Sequence, residues 1–107
     1  MIRLQYPTKE FDKDFDNLDG SEKIRVEKFL SQLEERGVDV GKPLSVPFFR
    51  EKRFDGKRLY FLFYENFAVV LAVAISNKKA QQSTINRILE DLDKYQEYVT
   101  KLLRESN

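Results

Sequence analysis

Arg53 and Arg58 stand on either side of Phe54-Asp55-Gly56-Lys57. Asp-Gly is the strongest short-range signal for a two-residue hairpin turn of type I′. A turn centred on Asp55-Gly56 pairs Phe54 with Lys57 and Arg53 with Arg58, and directly paired residues share a face. Two arginines held opposite each other repel, and water screens only part of that. A phosphate between them relieves the repulsion, because guanidinium groups bind phosphate oxygens bidentately. Tyr60 and Tyr64, on the same strand parity as Arg58, can stack on bases and donate hydrogen bonds. Arg50, Lys52 and Lys57 add charge around the turn, and Lys78 and Lys79 can close the rim. The same residues also fit a solvated sheet face whose aliphatic stems cover apolar surface.

The residue types that are missing narrow the chemistry. The 107 residues include no histidine, cysteine or tryptophan. No thiol nucleophile, thiolate metal site, disulfide framework or imidazole acid or base is available. Catalysis is left to Lys, Arg, Asp, Glu, Tyr or the backbone. The absence of cysteine fits a reducing cytoplasm. Net charge is +1, but residues 48–79 carry seven Lys/Arg against three Asp/Glu. A basic zone inside a balanced chain is one form that a polyanion site takes. The longest apolar run, Phe67 to Ile75, is about half a membrane span. The expectation is one soluble cytoplasmic domain over residues 1–107, without a membrane partner.

The elements that position these residues read as follows. Ile2, Leu4 and Tyr6 alternate with polar residues as a strand, which Pro7 ends. Thr8 is a helix cap, and Phe11, Phe15 and Leu18 lie on one face of a short helix. Asp19 with Glu22 has the spacing of a capping box. Val26, Phe29, Leu30 and Leu33 give the second helix its apolar face, and Gly37 ends it. Residues 38–47, with Gly41, Pro43 and Pro47, read as a loop. Strands are expected over Phe48–Phe54, Lys57–Glu65 and Phe67–Ser76, and the last, being apolar throughout, belongs in the middle of the sheet. Leu59, Phe61 and Phe63 form the core face of the second of these. That places Arg58, Tyr60 and Tyr64 on the other side. One final helix carries Ile85, Ile88, Leu89, Leu92, Val99, Leu102 and Leu103. The fold class is α+β, in the order β-α-α-β-β-β-α. A two-helix hairpin and a C-terminal helix pack on a mostly antiparallel four-stranded sheet.

The segment Phe49-Arg-Glu-Lys-Arg-Phe-Asp-Gly-Lys-Arg-Leu-Tyr-Phe-Leu-Phe-Tyr64 resembles the meander of the RelE/ParE superfamily of toxins from toxin–antitoxin systems. Arg53, Gly56 and Arg58-Leu-Tyr-Phe61 carry the likeness. Val69 to Gln82 resembles that family's apolar strand and basic loop, with a Lys-Lys-x-Gln form closest to the HigB-like branch. The resemblance implies a ribosome-dependent messenger RNA endonuclease that inhibits translation without a metal or other cofactor. In such toxins the 2′-hydroxyl attacks the adjacent phosphate, leaving a 2′,3′-cyclic phosphate and a 5′-hydroxyl. It implies Arg58 and Arg53 at the phosphate, and Lys52 or Lys79 in proton transfer. Arg50, Lys57, Tyr60, Tyr64 and Lys78 are then the further RNA contacts. Two lysines of RelE-type enzymes align with Phe49 and Glu51, and their C-terminal tyrosine aligns with Ile85. The implied partners are the ribosome, messenger RNA and a cognate antitoxin, for whose acidic segment a basic groove is suited. ParE-type members of the same superfamily poison DNA gyrase without nuclease residues, and an inactive interaction module is the remaining alternative.

Overall fold

A computed structural model of the chain describes residues 3–37 and 40–105. Ile2, expected in the first strand, and residues 38–39 of the expected loop lie outside the described residues. The elements run β1 (Leu4–Pro7), α1 (Lys9–Asp16), α2 (Gly20–Arg36), β2 (Lys42–Leu44), β3 (Val46–Phe54), β4 (Lys57–Tyr64), β5 (Val69–Asn77), α3 (Gln81–Glu90) and α4 (Leu92–Glu105). The fold is α+β, as expected. Two details differ from the sequence reading. The sheet gains a fifth strand, because residues 42–44 add a short edge strand. The C-terminal helix is two helices, parted at Asp91.

Local chemistry explains most boundaries. Thr8 caps α1 by accepting from the Phe11 backbone N–H at 3.0 Å. Asp19 and Glu22 form a reciprocal capping box at the start of α2. Gly37, at φ 60°, ends that helix. Asp55 and Gly56 both have positive φ, 46° and 76°, as a type I′ turn requires.

The strand order is β1-β5-β4-β3-β2. β1 runs parallel to β5, and every other pair is antiparallel. The apolar β5 lies inside the sheet with partners on both sides, as its composition predicts. Helices cover both faces. Phe11, Leu18, Val26, Leu33, Leu59, Phe61, Phe63 and Val70 form one core under α1 and α2. Phe49, Tyr60, Leu62, Leu71, Val73, Ile85, Ile88 and Val99 form a second under α3 and α4. Each large apolar side chain so buried stabilises the fold by about 1.5–3 kcal/mol. β4 is therefore two-sided as well, and the side of β4 opposite Leu59, Phe61 and Phe63 is a second core. Among the described residues, no helix is long and apolar enough to cross a membrane.

A bulge in β5 sets what faces the arginines. Tyr60 pairs with Ala74 and Phe61 with Ala72, so Val73 is the extra residue. Val73 and Ala74 both turn into the α3–α4 core. The Val73 carbonyl accepts from the Thr8 hydroxyl at 2.7 Å. An unbulged ladder continued from Phe61 and Ala72 would set Ile75 against Arg58. With the bulge, Ser76 stands there instead.

Candidate functional site

The β3–β4 hairpin has the register that its turn predicts: Arg53 pairs with Arg58, and Phe54 with Lys57. Glu51 pairs with Tyr60 one step further on along the same face. From β5, Ser76 stands opposite Arg58. Gln81, the first residue of α3, reaches over this face. The polar end of the α3–α4 side of the sheet is thus Glu51, Arg53, Arg58, Tyr60, Ser76 and Gln81. It continues directly into the apolar core formed by Phe49, Leu62 and Leu71.

The two arginines differ in surroundings. The Arg53 side chain is 60% exposed, and its Nε lies 3.4 Å from a Glu51 carboxylate oxygen. Arg58 is only 5% exposed. One of its terminal nitrogens donates to the Gly56 carbonyl at 3.1 Å, while its Nε is buried with no hydrogen-bond partner. An unpaired buried donor of this kind is costly, and it is the feature of the cluster that most asks for a ligand.

Glu51 is a buried carboxylate at 2% exposure. Both of its oxygens accept from the Gln81 amide, at 3.1 and 3.3 Å. That contact ties the start of α3 to the middle of β3. Arg87, further along α3, forms an ion pair with Glu10 of α1 and fixes the helix at its other end.

Tyr60 is fully buried. Its hydroxyl lies 2.8 Å from the Ser76 hydroxyl, which donates to the Asn77 carbonyl at 3.0 Å. The Asn77 side chain accepts from the Ala80 backbone N–H at 2.9 Å. This run of hydrogen bonds shapes the turn that carries Lys78 and Lys79. Burial pushes the Tyr60 hydroxyl pKa up, against the opposing pull of Ser76 and the two arginines.

The other expected site residues are distributed as follows. Lys78 and Lys79 are exposed in the loop that leaves β5, at the hairpin-turn end of the sheet. Arg50, Lys52 and Lys57 lie on the opposite face of the sheet. Arg50 donates to the carbonyls of Val40 and Gly41, at 3.2 and 2.9 Å. The Lys52 ammonium lies 5.4 Å from the Phe29 ring centroid. Lys57 forms an ion pair with Glu22. Strand alternation separates these three from Arg53 and Arg58. Tyr64 sits at the far end of β4, about 20 Å along the strand from Arg58 at the usual rise per residue. Its hydroxyl is buried without a partner, and burial pushes its pKa up to about 12. Tyr60 presents no free ring face for base stacking, and Tyr64 is partly buried against the α3–α4 core. The reason is that α3 and α4 cover the side of the sheet that the sequence left open.

Glu51, Ser76 and Gln81 are the site members that sequence reasoning missed. For Glu51 the signal was present, since it shares strand parity with Arg53. Gln81 follows directly on the basic loop. Ser76 was hidden by the bulge.

No protein-family model and no curated protein matches the sequence. Solved structures do. A free form of the Escherichia coli toxin RelE carrying two arginine-to-alanine substitutions superposes with a TM-score of 0.69 at 16% identity, covering 82% of this chain and 99% of that one. The RelBE2 toxin–antitoxin complex of Mycobacterium tuberculosis gives a TM-score of 0.64 at 18% identity, covering 73% and 100%. A chromosomal ParDE system from Pseudomonas aeruginosa gives 0.53 at 14% identity, covering 72% and 96%. At these identities the likeness is one of architecture, and the chain has the RelE-like toxin fold.

Proposed function

We propose that this chain is the toxin of a toxin–antitoxin pair and that it cuts messenger RNA on the ribosome. Residues 1–107 act as one RelE-like domain in the cytoplasm, held in check by a cognate antitoxin. The observation that carries the reading is the Arg53–Arg58 pair. One arginine is open to solvent, and the other is buried beside it with an unused donor. Two guanidiniums at one sheet end suit the charge of a phosphorane better than they suit each other. The RelBE structures of the same fold, named as toxin–antitoxin complexes, support the partner.

In this reading Arg53 receives the scissile phosphate at the surface. Arg58 stabilises the charge that develops on the non-bridging oxygens. The 2′-hydroxyl oxygen bonds to phosphorus, its proton passing to solvent water, as the bond to the 5′-oxygen breaks, giving a 2′,3′-cyclic phosphate and a 5′-hydroxyl. Lys79, an exposed ammonium with three donors, delivers the proton to the departing 5′-oxygen, and Lys78 holds the RNA backbone. Lys52 and Lys57 meet α2, Arg50 holds the Val40 and Gly41 carbonyls, and all three serve the scaffold.

Induced expression without a partner tests this, comparing the parent with Arg53→Ala and Arg58→Ala. Growth arrest with fragmented transcripts, relieved by both substitutions, is the expected result. Arrest with intact transcripts and gyrase-linked DNA breaks would favour the ParE-like activity instead. No arrest, with no RNA bound, would leave an interaction module.

A further inference from the structure

Glu51 is out of place in a site for an anion. It is 2% exposed, lies 3.4 Å from the Arg53 guanidinium, and is a diagonal neighbour of Arg58 across the ladder. A carboxylate there repels any phosphate that the arginines attract. Its charge nonetheless has a definite consequence. Two guanidiniums and one carboxylate leave the cluster with one net positive charge. A phosphodiester carries one negative charge, whereas a phosphomonoester carries close to two.

We infer that Glu51 tunes the Arg53–Arg58 site toward phosphodiesters, by cutting the advantage that a phosphomonoester's second charge would give it between two unopposed arginines. Internal linkages of an RNA chain then compete better against terminal phosphates and free nucleotides than they would without the carboxylate. The inference rests on the phosphate role proposed for Arg53 and Arg58. Electrostatic reasoning gives the selectivity a form. Removing one negative charge beside the ligand strengthens binding in proportion to the ligand's own charge. A monoanion gains some factor, and a dianion gains about the square of it. Gln81 fits the same picture. It holds the carboxylate in place through a neutral amide, which leaves the charge count unchanged.

Two non-cleavable probes that share a nucleoside separate the effects. One is a thymidine dinucleotide with a single phosphodiester. The other is thymidine 3′-monophosphate above pH 7, where it is mostly a dianion. Binding of each is followed by NMR titration of the residue 51–58 and 76–81 amides. In Glu51→Gln the monoester gains more than the diester, and the diester-over-monoester ratio falls about tenfold. Glu51→Asp keeps the parent ratio. Gln81→Glu, which adds a charge at the partially exposed start of α3, weakens both probes and weakens the monoester more. That variant keeps the inference testable if Glu51→Gln does not fold. A ratio unchanged in Glu51→Gln, or in Gln81→Glu where Glu51→Gln does not fold, with binding intact, would overturn the inference alone. No binding of either probe to the parent would overturn the phosphate site as well.

Discussion

Arg53 stands directly opposite Arg58 in the β3–β4 ladder, yet the first is 60% exposed and the second 5%. The two therefore fail differently when replaced. Arg53→Gln removes a surface phosphate contact. It should lower the slope of log affinity against log salt by about 1 for a short oligoribonucleotide and shift stability by less than about 0.5 kcal/mol. Arg58→Gln should weaken the same RNA by about tenfold, the scale of one hydrogen bond to a charged group. Fluorescence anisotropy over a salt series, with urea unfolding alongside, measures both. Equal RNA affinity in parent and Arg58→Gln would separate the buried arginine from the ligand.

Tyr60 acts on the basic loop from beneath. Tyr60→Phe removes the hydroxyl that lies 2.8 Å from Ser76 and leaves the ring in the core. The expected cost is about 1 kcal/mol of stability, with RNA affinity within about twofold of the parent. Urea denaturation and anisotropy check the two halves. A large loss of RNA binding at full stability would restore Tyr60 as a direct contact.

Tyr64 sets an alkaline edge to stability. Its pKa in the folded chain is about 12, against an ordinary value of 10.0, because burial disfavours the phenolate. Between those pH values the unfolded chain loses its proton first. Stability is then complete below about pH 10 and falls as pH rises toward 12. Burial raises Tyr60 and Tyr95 in the same direction. Tyr64→Phe should therefore flatten the decline without abolishing it. At pH 7 the same variant should be neutral or more stable by up to about 1 kcal/mol, since the lost hydroxyl had no partner. Thermal midpoints from pH 7 to 11.5 test this, and an unchanged alkaline decline would contradict it.

Gly41 holds the outer edge of the sheet. Its φ is 81°, and a Cβ there would sit 2.5 Å from the Glu51 carbonyl oxygen and 2.9 Å from the Phe61 ring. Gly41→Ala should cost about 1–3 kcal/mol from backbone strain alone. Because the clash falls on Glu51, amide exchange should rise along β3 before it rises in α4. Uniform protection across both would show that the edge strand does not support the site.

Where local chemistry decides, the sequence was sufficient. Thr8, the Asp19–Glu22 box and the Asp55-Gly56 turn each act through their own neighbours, and the turn alone fixed the Arg53–Arg58 pairing. The rest depended on contacts between distant segments. No polar residue marks the register of the run from Val69 to Ile75, so the bulge at Val73 left no trace. Leu89 and Leu92 continue one apolar stripe across Asp91 without a glycine or proline, which hid the break between α3 and α4. Pro43 reads as a loop residue, but an edge strand tolerates it because only one side of that strand must donate. Arg58, Tyr60 and Tyr64 read as an open face because nothing local reveals that α3 and α4 lie over it.

Cleavage of ribosome-bound message by the purified protein tests the central claim most directly. A translation reaction receives the parent chain, Arg53→Ala or Arg58→Ala, and the RNA ends are mapped and chemically typed. The proposal predicts cuts within translated message that leave 2′,3′-cyclic phosphate and 5′-hydroxyl ends, absent without ribosomes and lost in both variants. Intact message with the parent, or cuts that persist in both variants, would contradict it.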